Sequence, residues 1–325
     1  MADLSVKYLG LDLKSPVVPS SSGLTSSPDR IREMEQAGAG AVVLKSLFEE
    51  QILFEGNKNL EAGGYPEAED YVRGYIRDHA VGEYLGLIEE VKKNTSLPVI
   101  ASINCVSADE WVDFARKIEE AGADALELNV YFLPLSGDKP AGEYEKVYFE
   151  LAEKMKSLLG IPVSFKLGRQ FTNLNYVVNQ LSYRKTDGVV LFNRFYEPDI
   201  DVNRLEMTAA SVFSAPAEIR QTLRWVGLLS GQYDGLSIAA STGVHDASAV
   251  IKLLLAGADV AQVCSVLYER GISYIAEINR VLSEWMDAKG FGCIDDFRGK
   301  LNYHSLKNPL MYERSQFMKY FSDHG

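Results

Sequence analysis

The stretch SADEWVDFARKIEEAGADALEL, residues 107–128, decides the fold. It is a capped amphipathic helix, a glycine turn and an apolar strand, with nothing between them. The same grammar recurs twice. SPDRIREMEQA (27–37) opens with a Ser-Pro helix start and passes through GAG into AVVLK (41–45), and HDASAVIKLLLAGADVAQV (245–263) repeats the helix, the AGAD turn and the strand. A glycine that closes a helix and a short turn that aims the next strand along the last one make a βα module, and such modules build parallel sheets.

Outward from these modules the chain contains eight apolar runs: 15–23, 41–46, 98–104, 125–130, 162–167, 188–193, 236–242 and 260–265. Runs that are apolar throughout imply strands buried on both faces. Eight of them, most followed by a helical pattern, predict an α/β fold of the (β/α)8 TIM barrel type, formed as a single domain over 1–325. Their C-terminal ends carry Ser20–Ser22, Lys45, Asn104, Asn129, Lys166, Asn193, Ser241–Gly243 and Cys264–Ser265. Strand ends form one face of such a barrel, the face on which active sites are built. Three segments interrupt the regularity, 47–82, 131–146 and 194–216, and are read as rim insertions after strands 2, 4 and 6. Residues 302–325 are read as a C-terminal extension packing on the barrel or on a partner subunit.

Composition narrows the function. The formal net charge of −12 argues against a nucleic-acid-binding surface. Three cysteines and four histidines lack metal-ligand or disulfide spacing, so no metal is expected. Residues 1–16 contain no basic region followed by an apolar core, and no apolar stretch approaches the roughly 20 residues that span a bilayer. The expected location is cytoplasmic, with no membrane partner.

The rim residues suggest a phosphorylated cofactor. Lys45 and Lys166 end buried strands, where an ammonium needs either an anionic ligand or a carboxylate such as Glu127. Ser241–Gly243 and Cys264–Ser265 offer backbone N–H groups and hydroxyls on adjacent strands seven and eight, where barrel phosphate sites recur, although serine and threonine are also ordinary helix caps. Asn104, Asn129 and Asn193 are placed either to bond a planar heterocycle or to tie loops together. His245 is read as a helix cap, and Cys105 and Cys264 as small core residues. A barrel whose phosphate turns grip a sugar phosphate is the cofactor-free alternative.

AGAGAVVLKS, INCVSADEWVDFARKIEEAGADALELNV, PVSFKL, STGVHDASAVIKLLLAGADVAQV and MDAKGFGCIDDFRGKL, in this order, resemble the dihydroorotate dehydrogenases, FMN-dependent barrels of pyrimidine synthesis. The resemblance is to the soluble class 1 branch and covers about residues 5–301. It implies FMN bound by Ser20, Ser21, Ser22, Lys45, Ser46, Asn104, Asn129, Lys166, Ser241, Thr242, Gly243, Cys264 and Ser265. It implies a dihydropyrimidine held by Asn129 and Asn193, with Arg194 beside them, and a homodimer. Lys45 is expected to touch both flavin and substrate. The electron acceptor would be soluble, either fumarate or NAD through a partner subunit.

The sequence departs from the family at particular places. Phe132 stands where the catalytic Cys or Ser is expected, three residues after Asn129, and Pro134 replaces the closing Asn of that motif. Residues 60–80 hold no Asn-x-Met-Gly-Leu-x-Asn segment. Arg194 replaces a Ser, and the phosphate turns carry Ser-Thr-Gly and Cys264 where glycines are usual. Tyr131, Ser136, Asp138 and Lys139 are the loop's candidate bases, with Tyr131 and Ser136 the two taken forward. These departures support two further readings: a different substrate, whose carboxylate or phosphate would meet Arg194 and Arg73, or a flavin-binding paralogue of reduced activity.

Overall fold

Both AGAD turns end in an aspartate that ties two strands together. In the computed structural model, which describes residues 2–48, 66–104 and 111–314, Asp124 accepts the Val99 N–H at 2.7 Å and Asp259 accepts the Ile238 N–H at 2.7 Å. Asp187 repeats the device on the Val163 N–H, also at 2.7 Å. Each carboxylate thus takes an N–H at the start of the neighbouring strand, and each has a cation beside it: Lys92 at Asp124, Arg298 at Asp259 and Lys156 at Asp187. Burial pushes the Asp259 carboxyl up to about 6 against the opposing pull of Arg298.

After an antiparallel hairpin, β1 (Val6–Tyr8) and β2 (Leu11–Leu13), the barrel strands follow. They are β3 (Val17–Pro19), β4 (Val42–Val43) with β5 (Leu47–Phe48), β6 (Val99–Asn104), β7 (Ala125–Asn129), β8 (Val163–Leu167), β9 (Gly188–Leu191), β12 (Ser237–Ser241) and β13 (Val260–Val263). A second hairpin, β10 (Pro198–Asp201) and β11 (Glu206–Ala209), stands apart from the barrel sheet. The barrel strands are parallel in the order β3-β13-β12-β9-β8-β7-β6-β4, which is the expected (β/α)8 arrangement with all eight runs as strands. At the seam between β3 and β4 the Gly40 N–H donates to Val17 O at 2.9 Å. A Cβ on Gly40 would lie 1.9 Å from Ser15 O, so only glycine lets the two chains come this close.

The helices α1 (Pro28–Gln36), α2 (Pro66–Asn94), α3 (Trp111–Glu120), α4 (Ala141–Leu158), α5 (Leu174–Tyr183), α6 (Ile219–Leu229), α7 (Ala247–Ala256), α8 (Ser265–Arg270) and α9 (Tyr274–Lys289) follow the strands. Those around the sheet bury i, i+3 and i+4 positions, as with Ile31 and Met34, Leu151 and Met155, Val177 and Leu181, or Val250 and Leu254. Each such side chain contributes about 1.5–3 kcal/mol. Among the described residues no helix is long and apolar enough to cross a membrane.

The first hairpin closes the barrel's N-terminal end. Leu9, at φ +52°, donates its N–H to Ser237 Oγ at 3.0 Å, and its Cδ2 occupies the space a Cβ on Gly188 would need. The Tyr8 ring is fully buried there, and burial raises its phenol well above the ordinary value, with Glu127 adding to the effect.

Two of the rim segments differ from the sequence reading. The segment 47–82 already contains most of the first half of α2, whose polar composition hides its start, and residues 49–65 lie outside the described residues. The segment 194–216 is not simply a loop, since it contains the β10–β11 hairpin. Near the C-terminus the Tyr303 N–H donates to Gly227 O at 2.8 Å and Tyr312 lies against Gly227 of α6. Residues 315–325 lie outside the described residues.

Gly40→Ala should destabilise the protein by at least ~1–3 kcal/mol, because the new methyl meets backbone rather than a side chain that can move. Gly82→Ala, in α2 with nothing within 4 Å of the added Cβ, should stabilise by about 0.4–1 kcal/mol. Urea denaturation of both variants checks the opposite signs.

Candidate active site

Lys166 ends β8, and its ammonium reaches across the barrel rather than along its wall. Nζ donates to Ser20 Oγ and to Gln262 Oε1, both at 3.0 Å, and lies 3.3 Å from Glu127 Oε1. Gln262 Nε2 in turn donates to Glu127 Oε2 at 2.7 Å, and Ser20 Oγ to Gln262 Oε1 at 3.1 Å. In strand order β13 is three places from β8, so these contacts cross the lumen. Glu127 is fully buried and Lys166 is 5% exposed. The pair satisfies the carboxylate alternative raised for Lys166, yet the same ammonium also lines a cavity of about 170 Å³.

That cavity collects most of the rim residues singled out from the sequence. Ser20, Ser21, Lys166, Asn193, Arg194, Ser241, Thr242, Gly243, Cys264 and Ser265 all line it. Asn129 sits behind, accepting from Asn193 Nδ2 at 2.6 Å. Asn104 pairs in register with Asn129 at the end of β6. Ser46 donates its N–H to Ser21 Oγ at 2.8 Å and shares a hydroxyl contact with Ser102 at 2.7 Å, which ties the barrel seam at the rim. Ser22 caps the short turn Gly23–Ser26.

The phosphate turns have the backbone for an anion. Thr242 and Gly243 both adopt φ of +78°, a left-handed turn that side chains disfavour. A Cβ on Gly243 would come within 2.3 Å of Ile219 N, so the turn is pressed against the start of α6 and needs glycine. The N–H groups of Gly243, Val244 and Ser265 donate to no backbone carbonyl or side chain among the described residues, while all three residues line the cavity. Buried N–H groups in want of an acceptor, beside a buried ammonium, fit a phosphate and the electron-rich edge of a flavin. Burial raises the Cys264 thiol above its ordinary value, with Lys166 pulling the other way.

Other residues go elsewhere. Lys45 is exposed and does not line this cavity. Ser136 lies on an exposed loop, where its Oγ accepts the Asp138 N–H at 3.3 Å. Tyr131 stacks on Phe195 with centroids 3.6 Å apart and donates to Gln170 Oε1 at 3.0 Å. Phe132, in the expected base position, packs against Tyr144 and Tyr148. Cys105 lies outside the described residues, as does the side chain of Arg73.

The end of the 194–216 segment, read from the sequence as a rim insertion, forms the cavity's outer wall. Arg194 Nη1 and Nη2 donate to Val212 O at 3.0 Å and Ser211 O at 2.8 Å, and Nε reaches Glu218 at 3.2 Å. Ser214 donates its N–H to Ser265 Oγ at 3.0 Å, and its Oγ lies 3.0 Å from His245 Nε2. His245 is therefore a tie for this loop. The cap of α7 is Asp246, which accepts the Ala249 N–H at 2.7 Å. Gln262 was legible as the one polar residue inside the strand VAQV, whereas nothing local to Ser214 or Glu218 marks them.

The family model for dihydroorotate dehydrogenase matches residues 3–286. The chain is similar to the dihydroorotate dehydrogenase B (NAD(+)) catalytic subunit of Thermoplasma volcanium, at 26% identity over 92% of this chain and 98% of that one. The corresponding subunit of Thermoplasma acidophilum is 27% identical over 92% and 99%. A dihydroorotate dehydrogenase (fumarate) of Lachancea kluyveri is 24% identical over 93% and 99%.

Glu127→Gln leaves the Lys166 charge without its carboxylate and should cost about 3–5 kcal/mol in urea denaturation, whereas replacing both partners (Glu127→Leu with Lys166→Met) should recover most of that loss. A double variant no more stable than Glu127→Gln would contradict the charge-pair account.

Proposed function

Since the chain belongs to the dihydroorotate dehydrogenase family, we propose that it is an FMN-dependent oxidoreductase acting on the CH–CH bond of a dihydropyrimidine, with dihydroorotate as the first substrate to test. The observation that carries this reading is the coincidence, around one cavity, of a buried ammonium and two turns with unbonded N–H groups. Gly243, Val244, Cys264 and Ser265 would hold the phosphate, with Lys166 and Ser20 at the ring. FMN, when bound, supplies the hydride acceptor. The Lys166 ammonium, fixed by Glu127 and Gln262, stabilises the negative charge that builds up on the flavin's pyrimidine edge. The Asn129–Asn193 pair presents amide groups to a planar heterocycle. Of the two hydroxyl candidates, Tyr131 shares a second cavity with Asn193 and Ser136 does not, so proton removal is assigned to Tyr131.

The homodimer has a candidate face. Ile200 pairs with Met207 and Pro198 with Ala209 on one side of the β10–β11 hairpin, and Val202 and Leu205 lie in the turn between its strands. Ile200, Val202, Leu205 and Met207 are all exposed, and the opposite side carries Asp199, Asp201 and Glu206. A second copy presents the same apolar face with no charge to bury, which suits an isologous contact.

Two measurements test these readings. Anaerobic dihydroorotate should bleach the flavin spectrum of the FMN-loaded protein, and Lys166→Met should weaken FMN binding at least roughly tenfold, about 1.4 kcal/mol. A spectrum that stays oxidised would exclude dihydroorotate, and failure to take up FMN would exclude the cofactor. Met207→Asp should shift the protein from dimer to monomer in light scattering.

A further inference from the structure

Beside the flavin-type cavity lies a larger one of about 670 Å³, within the range of small-molecule sites. The two share Asn193 and Arg194 as a common wall. The larger is lined by apolar groups, Leu133, Phe195 and Pro198 among them, with Tyr131 and Tyr196 adding aromatic surface. One cation there is poorly accounted for. Arg169 has its Nε and Nη2 buried with no hydrogen-bond partner among the described residues.

The nearest carboxylate does not meet that need. Glu218 Oε2 lies 3.9 Å from Arg169 Nη2, beyond hydrogen-bond distance. Glu218 is already engaged, accepting from the Arg194 Nε at 3.2 Å and from the Ala215 N–H at 2.7 Å. One carboxylate therefore faces two guanidinium groups. The other nearby acid, Glu197, is 3.7 Å from Arg194 and largely solvated. Buried guanidinium donors are seldom left unbonded, and their planar fork matches a carboxylate with two parallel bonds.

We propose that the larger cavity binds the part of the substrate that projects beyond the reacting ring, and that Arg169 binds a carboxylate there. The inference rests on the flavin reading for its link to catalysis, since the shared Asn193–Arg194 wall is what would let one ligand span both cavities. The ligand class follows from the lining. Of the two guanidinium groups there, Arg194 is committed to Glu218, Val212 O and Ser211 O. The one unbonded fork, Arg169, among apolar and aromatic side chains fits a carboxylate on a ring or an apolar arm. A phosphate would call for more donors than this cavity gathers around Arg169. Arg169 is thus assigned as a specificity-determining residue.

Matched probes that differ only in the anion test it. Isothermal titration of the FMN-loaded protein and of the apoprotein would use orotate against uracil, and 3-phenylpropionate against 3-phenylpropionamide. In the wild type each carboxylate should bind at least ~10-fold more tightly than its neutral partner. Arg169→Gln should remove that preference while FMN affinity, read by flavin fluorescence, stays unchanged. Glu218→Gln, which takes away the competing anion, should tighten 3-phenylpropionate binding severalfold and guards against a misfolded Arg169 variant. No carboxylate preference in the wild type, a preference that survives Arg169→Gln, or weaker binding in Glu218→Gln would each overturn the proposal. A carboxylate preference in a protein that takes up no FMN would support the Arg169 site while removing the flavin reading.

Discussion

The buried Lys166–Glu127 pair is the constraint on which the barrel's interior depends. Glu127 is fully buried and Lys166 nearly so, and their protein partners arrive from the opposite wall, as Gln262 and Ser20 do. This fixes register. Side chains alternate along a strand, so a slip of one residue in β7, β8 or β13 would turn one member of the network outward and strand a charge inside, at a cost of several kcal/mol. The aspartates at 124, 187 and 259 set the same register from the other end, each bonding an N–H at the start of the adjacent strand. The barrel is thus pinned at both ends by polar contacts, with apolar packing between them and the helices. A rigid wall follows, and a ligand can be oriented against it without the protein reorganising.

The outer wall is made differently. Arg194 bonds two backbone carbonyls of the 211–212 segment, and Ser214 is tied to both His245 and Ser265. Phe213 lies against Tyr268 with ring centroids 5.4 Å apart. Every one of these contacts joins a loop residue to a residue at or just beyond a strand end. The loop is therefore positioned by the same rim that carries the phosphate turns. These wall contacts and the lumen network have no residue in common, although both border the same cavity.

The eight strands were legible because their outward faces are apolar and each ends in a polar residue at the rim. Their inward faces were less so. Read as apolar throughout, β6, β7 and β8 in fact carry Ser102 and Asn104, Glu127 and Asn129, and Ser164 and Lys166 at every second place. Five of these six bond across to the lumen or to a neighbouring strand, and Asn104 pairs with Asn129 in register. Small residues and aliphatic neighbours masked this period of two. The rim groups converged as expected at Ser20, Ser21, Lys166, Asn193 and the two phosphate turns. What stayed hidden depends on contacts between distant segments. Arg169 looks like any charged residue after a strand, and its significance lies in having its donors buried and in Glu218 being taken by Arg194. The β10–β11 hairpin was hidden for a different reason, since its apolar face lies in solvent and gives no burial signal.

The position three residues after Asn129 shows how local packing can redirect chemistry. Phe132 contacts Tyr144 and Tyr148, and Tyr148 donates to Val130 O at 3.0 Å, so the start of this loop is built into the underside of α4. Burial raises the Tyr148 phenol well above its ordinary value, which unfits it for proton transfer near neutral pH. A hydroxyl or thiol substituted at 132 would therefore stand among the aromatic side chains of Tyr144 and Tyr148, which line a pocket with it. The neighbour Tyr131 lines that pocket too, but it is also stacked on Phe195 in the cavity that holds Asn193 and Arg169. With Phe132 in the aromatic cluster, Tyr131 is left as the polar side chain of this loop start that shares a cavity with Asn193 and Arg169, so that on the proposed reading substrate recognition at Arg169 and proton removal at Tyr131 would belong to a single cavity.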